Sequence, residues 1–157
     1  MKATKWKSYS LALIAGMSVL TACSSDDNND NGGNGNNGNG NEIENGTTLK
    51  GTITSDVTLT AGSTYKLSGE YIVEDGATLN IEAGVKIISI YDDIVDYILV
   101  KQGGKINAVG TASAPIVMTS EKKEAGAWGG LHICGYAHTN NGSGKSEIGN
   151  APYGGNN

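Results

Sequence analysis

The side chains able to do chemistry are few. His132, Cys134 and His138 are soft ligand types lying close together. A zinc site needs such groups, usually four of them. His132 and Cys134 alternate with Leu131 and Ile133, so in a strand they share one face. No fourth ligand accompanies them, and a structural strand accounts for the pattern. Asp92, Asp93 and Asp96 offer carboxylate oxygens of the kind Ca²⁺ takes. Their order lacks the Asp-x-Asp-x-Asp-Gly spacing of a calcium loop, so a solvated acidic loop is the expectation and Ca²⁺ the lesser alternative. Gly142-Ser143-Gly144-Lys145-Ser146 lacks the earlier glycine of a phosphate-binding loop, which stands as Thr139 here, and no strand-to-helix context follows. Trp128, Tyr136 and Tyr153 could stack on sugar rings. Trp128, beside Gly129 and Gly130, is better accounted for by packing at a rung corner. No catalytic set emerges, and no cofactor is expected.

The elements that must position these groups occupy the middle and end of the chain. Lys2, Lys5 and Lys7 precede an apolar stretch from Tyr9 to Ala22, about 14 residues long. A spanning helix needs about 20, so residues 1–22 read as a cleavable export signal. It ends Leu20-Thr21-Ala22-Cys23. This resembles the lipobox of bacterial lipoproteins, which implies thioether lipidation of Cys23, cleavage before it and acylation of the new terminus. Two or more acyl chains hold stably where one is marginal. The following Ser24, Ser25, Asp26 and Asp27 resemble the surface-export signal of Bacteroidota lipoproteins. That implies lipid anchoring to the outer membrane, on its extracellular face.

Residues 23–47 are dominated by Asn and Gly, with Ile43 the one apolar residue from 28 to 46. Such a tract cannot offset its ordering entropy and reads as a flexible tether. Removing Lys2, Lys5 and Lys7 from the 11 basic residues leaves 8 Lys against 16 acidic residues, with no Arg anywhere. That balance argues against nucleic acid, whose phosphates need a basic patch. Cys134 is the one Cys left after Cys23 is lipidated, so it has no intramolecular disulfide partner and reads as a small packing residue.

From Thr48 to residue 157 the texture is short β-branched runs punctuated by Gly, without a sustained helical period. Val73-Glu74-Asp75-Gly76-Ala77-Thr78-Leu79-Asn80 matches Val100-Lys101-Gln102-Gly103-Gly104-Lys105-Ile106-Asn107 at an offset of 27. A weaker copy places Ile53 and Val57-Thr58-Leu59-Thr60 20 residues before Val73 and Ala77-Thr78-Leu79-Asn80. Repeats of this length suit rungs of a parallel β-solenoid, each burying its inward side chains only by stacking on the next. Variable offsets imply loops inserted at corners, foremost Tyr91 to Tyr97. The rival architecture is an antiparallel β-sandwich, disfavoured because the repeat keeps one strand–Gly–strand–Gly order.

The run Gly110-Thr111-Ala112-Ser113-Ala114-Pro115-Ile116-Val117-Met118-Thr119-Ser120, followed by Trp128-Gly129-Gly130-Leu131-His132-Ile133-Cys134-Gly135, resembles the rungs of pectin-lyase-like, right-handed parallel β-helix lipoproteins of Bacteroidota. The resemblance implies an all-β solenoid over residues 48–157, in relatives that are much longer. By that comparison the segment is expected to be the N-terminal part of a longer protein, its uncapped edge marginally stable or prone to aggregation. Lyases of this fold use Ca²⁺-binding acids with a Lys or Arg base, and no Asp pair near a Lys repeats here. The leading expectation is a non-enzymatic surface lipoprotein presenting its flank to a polysaccharide or surface protein. The alternatives are a polysaccharide lyase or hydrolase with catalytic rungs beyond residue 157, and a structural surface-layer component.

Overall fold

A computed structural model describes residues 41–155. Cys23 and the Ser24–Asp27 run therefore lie outside the described residues. The chain forms strands β1 (Asn41–Ile43), β2 (Thr48–Ile53), β3 (Val57–Leu59), β4 (Thr64–Val73), β5 (Thr78–Ile81), β6 (Lys86–Ser89), β7 (Tyr97–Val100), β8 (Lys105–Ala108), β9 (Val117–Ser120) and β10 (Gly130–Ile133), then short β11 (Gly144–Lys145) and β12 (Pro152–Tyr153). Strands β1, β3, β5 and β8 stack in that order as one parallel sheet. The second parallel sheet runs β10-β7-β4-β6-β9, with β2 also on β4.

Strand β4 explains why the second sheet has two sides. Its Thr64–Leu67 half pairs with β6 and its Glu70–Val73 half with β7. Between the halves, Gly69 has φ +67°, a left-handed value that side-chain-bearing residues seldom adopt. The strand therefore turns a corner without ending. One rung down, the same corner is opened by an insertion between β6 and β7, and on the last rung by a longer one between β9 and β10. Each rung thus has three sides, and the fold is a right-handed parallel β-helix.

Inward side chains form columns along the axis. Val57, Leu79 and Ile106 are in register, as are Leu59 and Ile81, and Ile53, Val73 and Val100. Leu59, Leu67, Val73, Leu79 and Val85 are completely buried. Each such side chain contributes about 1.5–3 kcal/mol on leaving water. On β10, Leu131 and Ile133, stacked on Ile98 and Val100, are 38% and 61% exposed among the described residues.

Several expectations change. The Val73/Val100 and Asn80/Asn107 pairings hold at the predicted offset. The weaker copy holds only at its start. Ile53 pairs with Val73, but Val57 pairs with Leu79 rather than Ala77, because the chain takes two more residues from Val73 to Leu79 than from Ile53 to Val57. The stretch read as tether is ordered by Asn41: β1 pairs with β3, and Ile43 packs against the core. Asn45 Oδ1 also accepts from Thr64 N at 2.8 Å. The predicted insertion is present, but Tyr97 belongs to β7 and is buried.

The acidic loop is not uniformly solvated either. Asp96 is 1% exposed. Its carboxylate accepts from Gly69 N at 2.5 Å and Ser89 Oγ at 2.6 Å. The inward column it meets runs Leu49, Leu67, Ser89, Ser120, turning from apolar to polar where the insertions enter. Asp96 thereby pins the insertion to the rung above.

Candidate functional site

The outer face of the first sheet carries a candidate site. Because side chains alternate along a strand, inward Leu59, Leu79 and Ile81 leave Thr58 and Asn80 pointing outward. Register then aligns Thr58 on β3 with Asn80 on β5 and Asn107 on β8. Adjacent strands lie about 4.8 Å apart, so the column spans about 10 Å. Glu82, Ala83 and Val109, just past the strand ends, complete a groove of about 370 Å³. That volume falls in the range of small-ligand sites.

The groove's polar groups differ in their commitments. Glu82 accepts from Ala61 N at 2.7 Å, which fixes its carboxylate at the rim. Thr58 is 4% exposed, and its hydroxyl has no hydrogen-bond partner among the described residues. A buried unpaired hydroxyl costs about 1–3 kcal/mol. Each Asn amide presents two donors and an acceptor with two lone pairs. Asn80 is half-buried and Asn107 and Val109 are exposed, so the groove pairs amides with a small apolar surface. Lys105 shares the outer face of β8 with Asn107, while Glu42 stands beside Thr58 on β1. A second, more open groove of about 600 Å³ lies by the insertion, walled by Ile94, Val95 and Tyr97 with Glu70 and Lys50. There Tyr97 donates to Glu70 at 2.8 Å, and burial together with that carboxylate pushes its phenol above the ordinary range.

The residues singled out from the sequence are placed elsewhere. Trp128 is half-buried and packs against the main core. Tyr136 is 63% exposed on the return segment, residues 134–155 after β10. Neither lines the groove. Asp92 accepts from Ser68 Oγ and from Ile94 N, each at 3.2 Å, and Asp93 is exposed. Among the described residues no three His, Cys, Asp or Glu side chains gather as metal ligands.

His132 and Cys134 serve the return segment instead. His132 Nε2 lies 2.9 Å from Gly129 O. A carbonyl only accepts, so that nitrogen carries the hydrogen, and Nδ1 accepts from Ser146 Oγ at 3.2 Å. Cys134 is buried with Tyr97, Leu99 and Ala151, and burial pushes its thiol pKa up, as expected of a packing residue.

Sequence reasoning missed Thr58 and Glu82 as site residues. Asn80 and Asn107 were visible as a repeat match but read only as a mark of the fold. The usable signal was the polar, outward position recurring beside Leu79 and Ile106.

A family model described as a pectate-lyase-like beta helix domain matches residues 51–157. No curated protein and no solved structure compared with the chain matches it. That match covers more than half of the sequence and agrees with the three-sided parallel stack, so the chain belongs to the pectate-lyase-like β-helix domain family.

Proposed function

We propose that this protein is a surface lipoprotein, anchored through Cys23, whose β-helix flank binds extracellular glycan. The observation that carries the reading is the in-register Thr58–Asn80–Asn107 column at the base of a groove. Amides and hydroxyls at strand spacing suit the repeating hydroxyls of a saccharide chain, and Val109 offers an apolar contact for a ring face. The rigid sheet fixes their spacing before any ligand arrives, which lowers the ordering cost of binding. The export signal and lipobox-like Leu20–Cys23 support display outside the cytoplasm, and Ser24, Ser25, Asp26 and Asp27 support the outer surface of the outer membrane.

A glycan array followed by titration with the full chain tests this. An Asn80→Ala/Asn107→Ala double variant is expected to weaken binding by about tenfold or more, given about 1 kcal/mol per lost hydrogen bond. Its thermal midpoint should stay near that of the parent. Binding that survives the double variant would place the site elsewhere. Failure to bind any glycan would remove the reading.

The family description favours one second reading, eliminative cleavage of an acidic polysaccharide. Lys105, on the same face as Asn107, is the group that would have to act as base. Formation of unsaturated product from polygalacturonate, lost in Lys105→Met, would establish it.

A further inference from the structure

Resting on the glycan-binding reading of the same groove, we infer that its ligand is an uncharged saccharide rather than a uronate or phosphate-bearing polymer. The argument is electrostatic. Glu82 lines the groove, and its carboxylate is held at the rim by Ala61 N. Glu42 stands next to Thr58 in the adjoining strand. Asp56, at the corner before β3, accepts from Thr78 N at 2.8 Å, the strand that carries Asn80. Against these three carboxylates, the strands of this face offer among the described residues the ammonium of Lys105, at the outer edge beside Asn107. A uronate chain would bring a negative charge with every sugar onto a face already negative. Like charges at contact are repulsive, and desolvating them adds to the cost.

What the groove does offer matches neutral hydroxyls. Each amide of Asn80 and Asn107 both donates and accepts, as a sugar hydroxyl does. Glu82 has lone pairs to spare beyond Ala61 N, and a carboxylate accepting from a sugar hydroxyl makes a strong bond. The column's span of about 10 Å, from two strand spacings, is roughly that of a disaccharide. The groove therefore reads two consecutive neutral sugars.

The test is affinity electrophoresis of the full chain in gels containing a neutral β-glucan, a neutral mannan, or polygalacturonate with and without calcium. Retardation by at least one neutral polymer and none by polygalacturonate is expected. Glu82→Gln should raise the ratio of polygalacturonate to neutral binding by roughly fivefold, the effect of one close surface charge, and that gain should shrink with added salt. Retardation by polygalacturonate in preference to the neutral polymers, under either calcium condition, overturns the inference while leaving glycan binding intact. Neutral binding unaffected by Asn80→Ala/Asn107→Ala overturns its location. Retardation by none of the polymers overturns the inference together with the glycan reading itself.

Discussion

Two tyrosines in the same core make opposite predictions when each loses its hydroxyl. Tyr71 stands in an inward column between Gly51 and Ile98 and is 3% exposed. Its hydroxyl is buried without a hydrogen-bond partner among the described residues. Burial also pushes its phenol from 10.0 up to about 12. Tyr65, fully buried, is instead satisfied: it donates to Ile43 O at 2.9 Å and accepts from Thr60 N at 3.0 Å. An unpaired buried hydroxyl costs about 1–3 kcal/mol, while a made hydrogen bond contributes about 1 kcal/mol. Tyr71→Phe should therefore stabilise the fold by about 1 kcal/mol, a rise of roughly 5 °C in a domain near this size. Tyr65→Phe strands a buried N–H and a carbonyl, and should cost about 2–3 kcal/mol.

The pH arm carries its own sign. Below the ordinary tyrosine pKa both states keep the Tyr71 proton, so its contribution is fully present. Between pH 10 and about 12 the unfolded chain releases a proton that the folded chain retains, so rising pH favours unfolding. Tyr71→Phe should lose less stability than the parent across that window. Urea denaturation followed by circular dichroism, at neutral pH and along an alkaline series, reads both effects. A Tyr71→Phe protein less stable than its parent at neutral pH would refute the reasoning, because it would mean that the hydroxyl has a partner worth keeping.

Substitutions at three other positions test separate features. Asp96→Ala removes two charge-assisted hydrogen bonds that pin the insertion and should cost about 3 kcal/mol, with new protease cleavage between Ile90 and Asp96. Asp96→Asn should fall between it and the parent. Gly104→Ala places a Cβ 2.7 Å from Val73 O and 2.9 Å from Glu74 O, backbone atoms that cannot swing aside. A midpoint loss worth about 2 kcal/mol or more is expected, and an unchanged melting curve would count against the tight corner. Incorporation of labelled palmitate in cells should vanish in Cys23→Ala. Label persisting in that variant would dismiss the anchor.

The groove shows how much of a site could be read in advance. Asn80 and Asn107 match in a plain alignment of the two best repeats, and the structure pairs them as aligned. Thr58 was beyond reach, because a constant offset matches it to Thr78 and hides its place in the column. Glu82 gave no signal, since its value comes from lying beside Ala61 one rung away. Aromatic residues drew attention as sugar platforms by type alone. Trp128 shows the weakness of that cue, because the same ring serves core packing equally well.

The sequence by itself pointed to stacked parallel rungs from Thr48 onward, because apolar alternation and glycine corners recur with the period of one turn, and the parallel stack runs through β10, after which β11 and β12 pair antiparallel. It also located one of the two insertions, since YDDIVDY interrupts that period. Only the tertiary structure decided the rest. It drew Asn41–Ile43 into the first sheet, because a parallel edge strand is recruited by a neighbour's backbone and needs little hydrophobic pattern of its own. It buried Asp96, because the donors that compensate its charge, Gly69 N and Ser89 Oγ, come from different strands. It set the register of Thr58, because corner length rather than side-chain identity determines which residues meet across rungs.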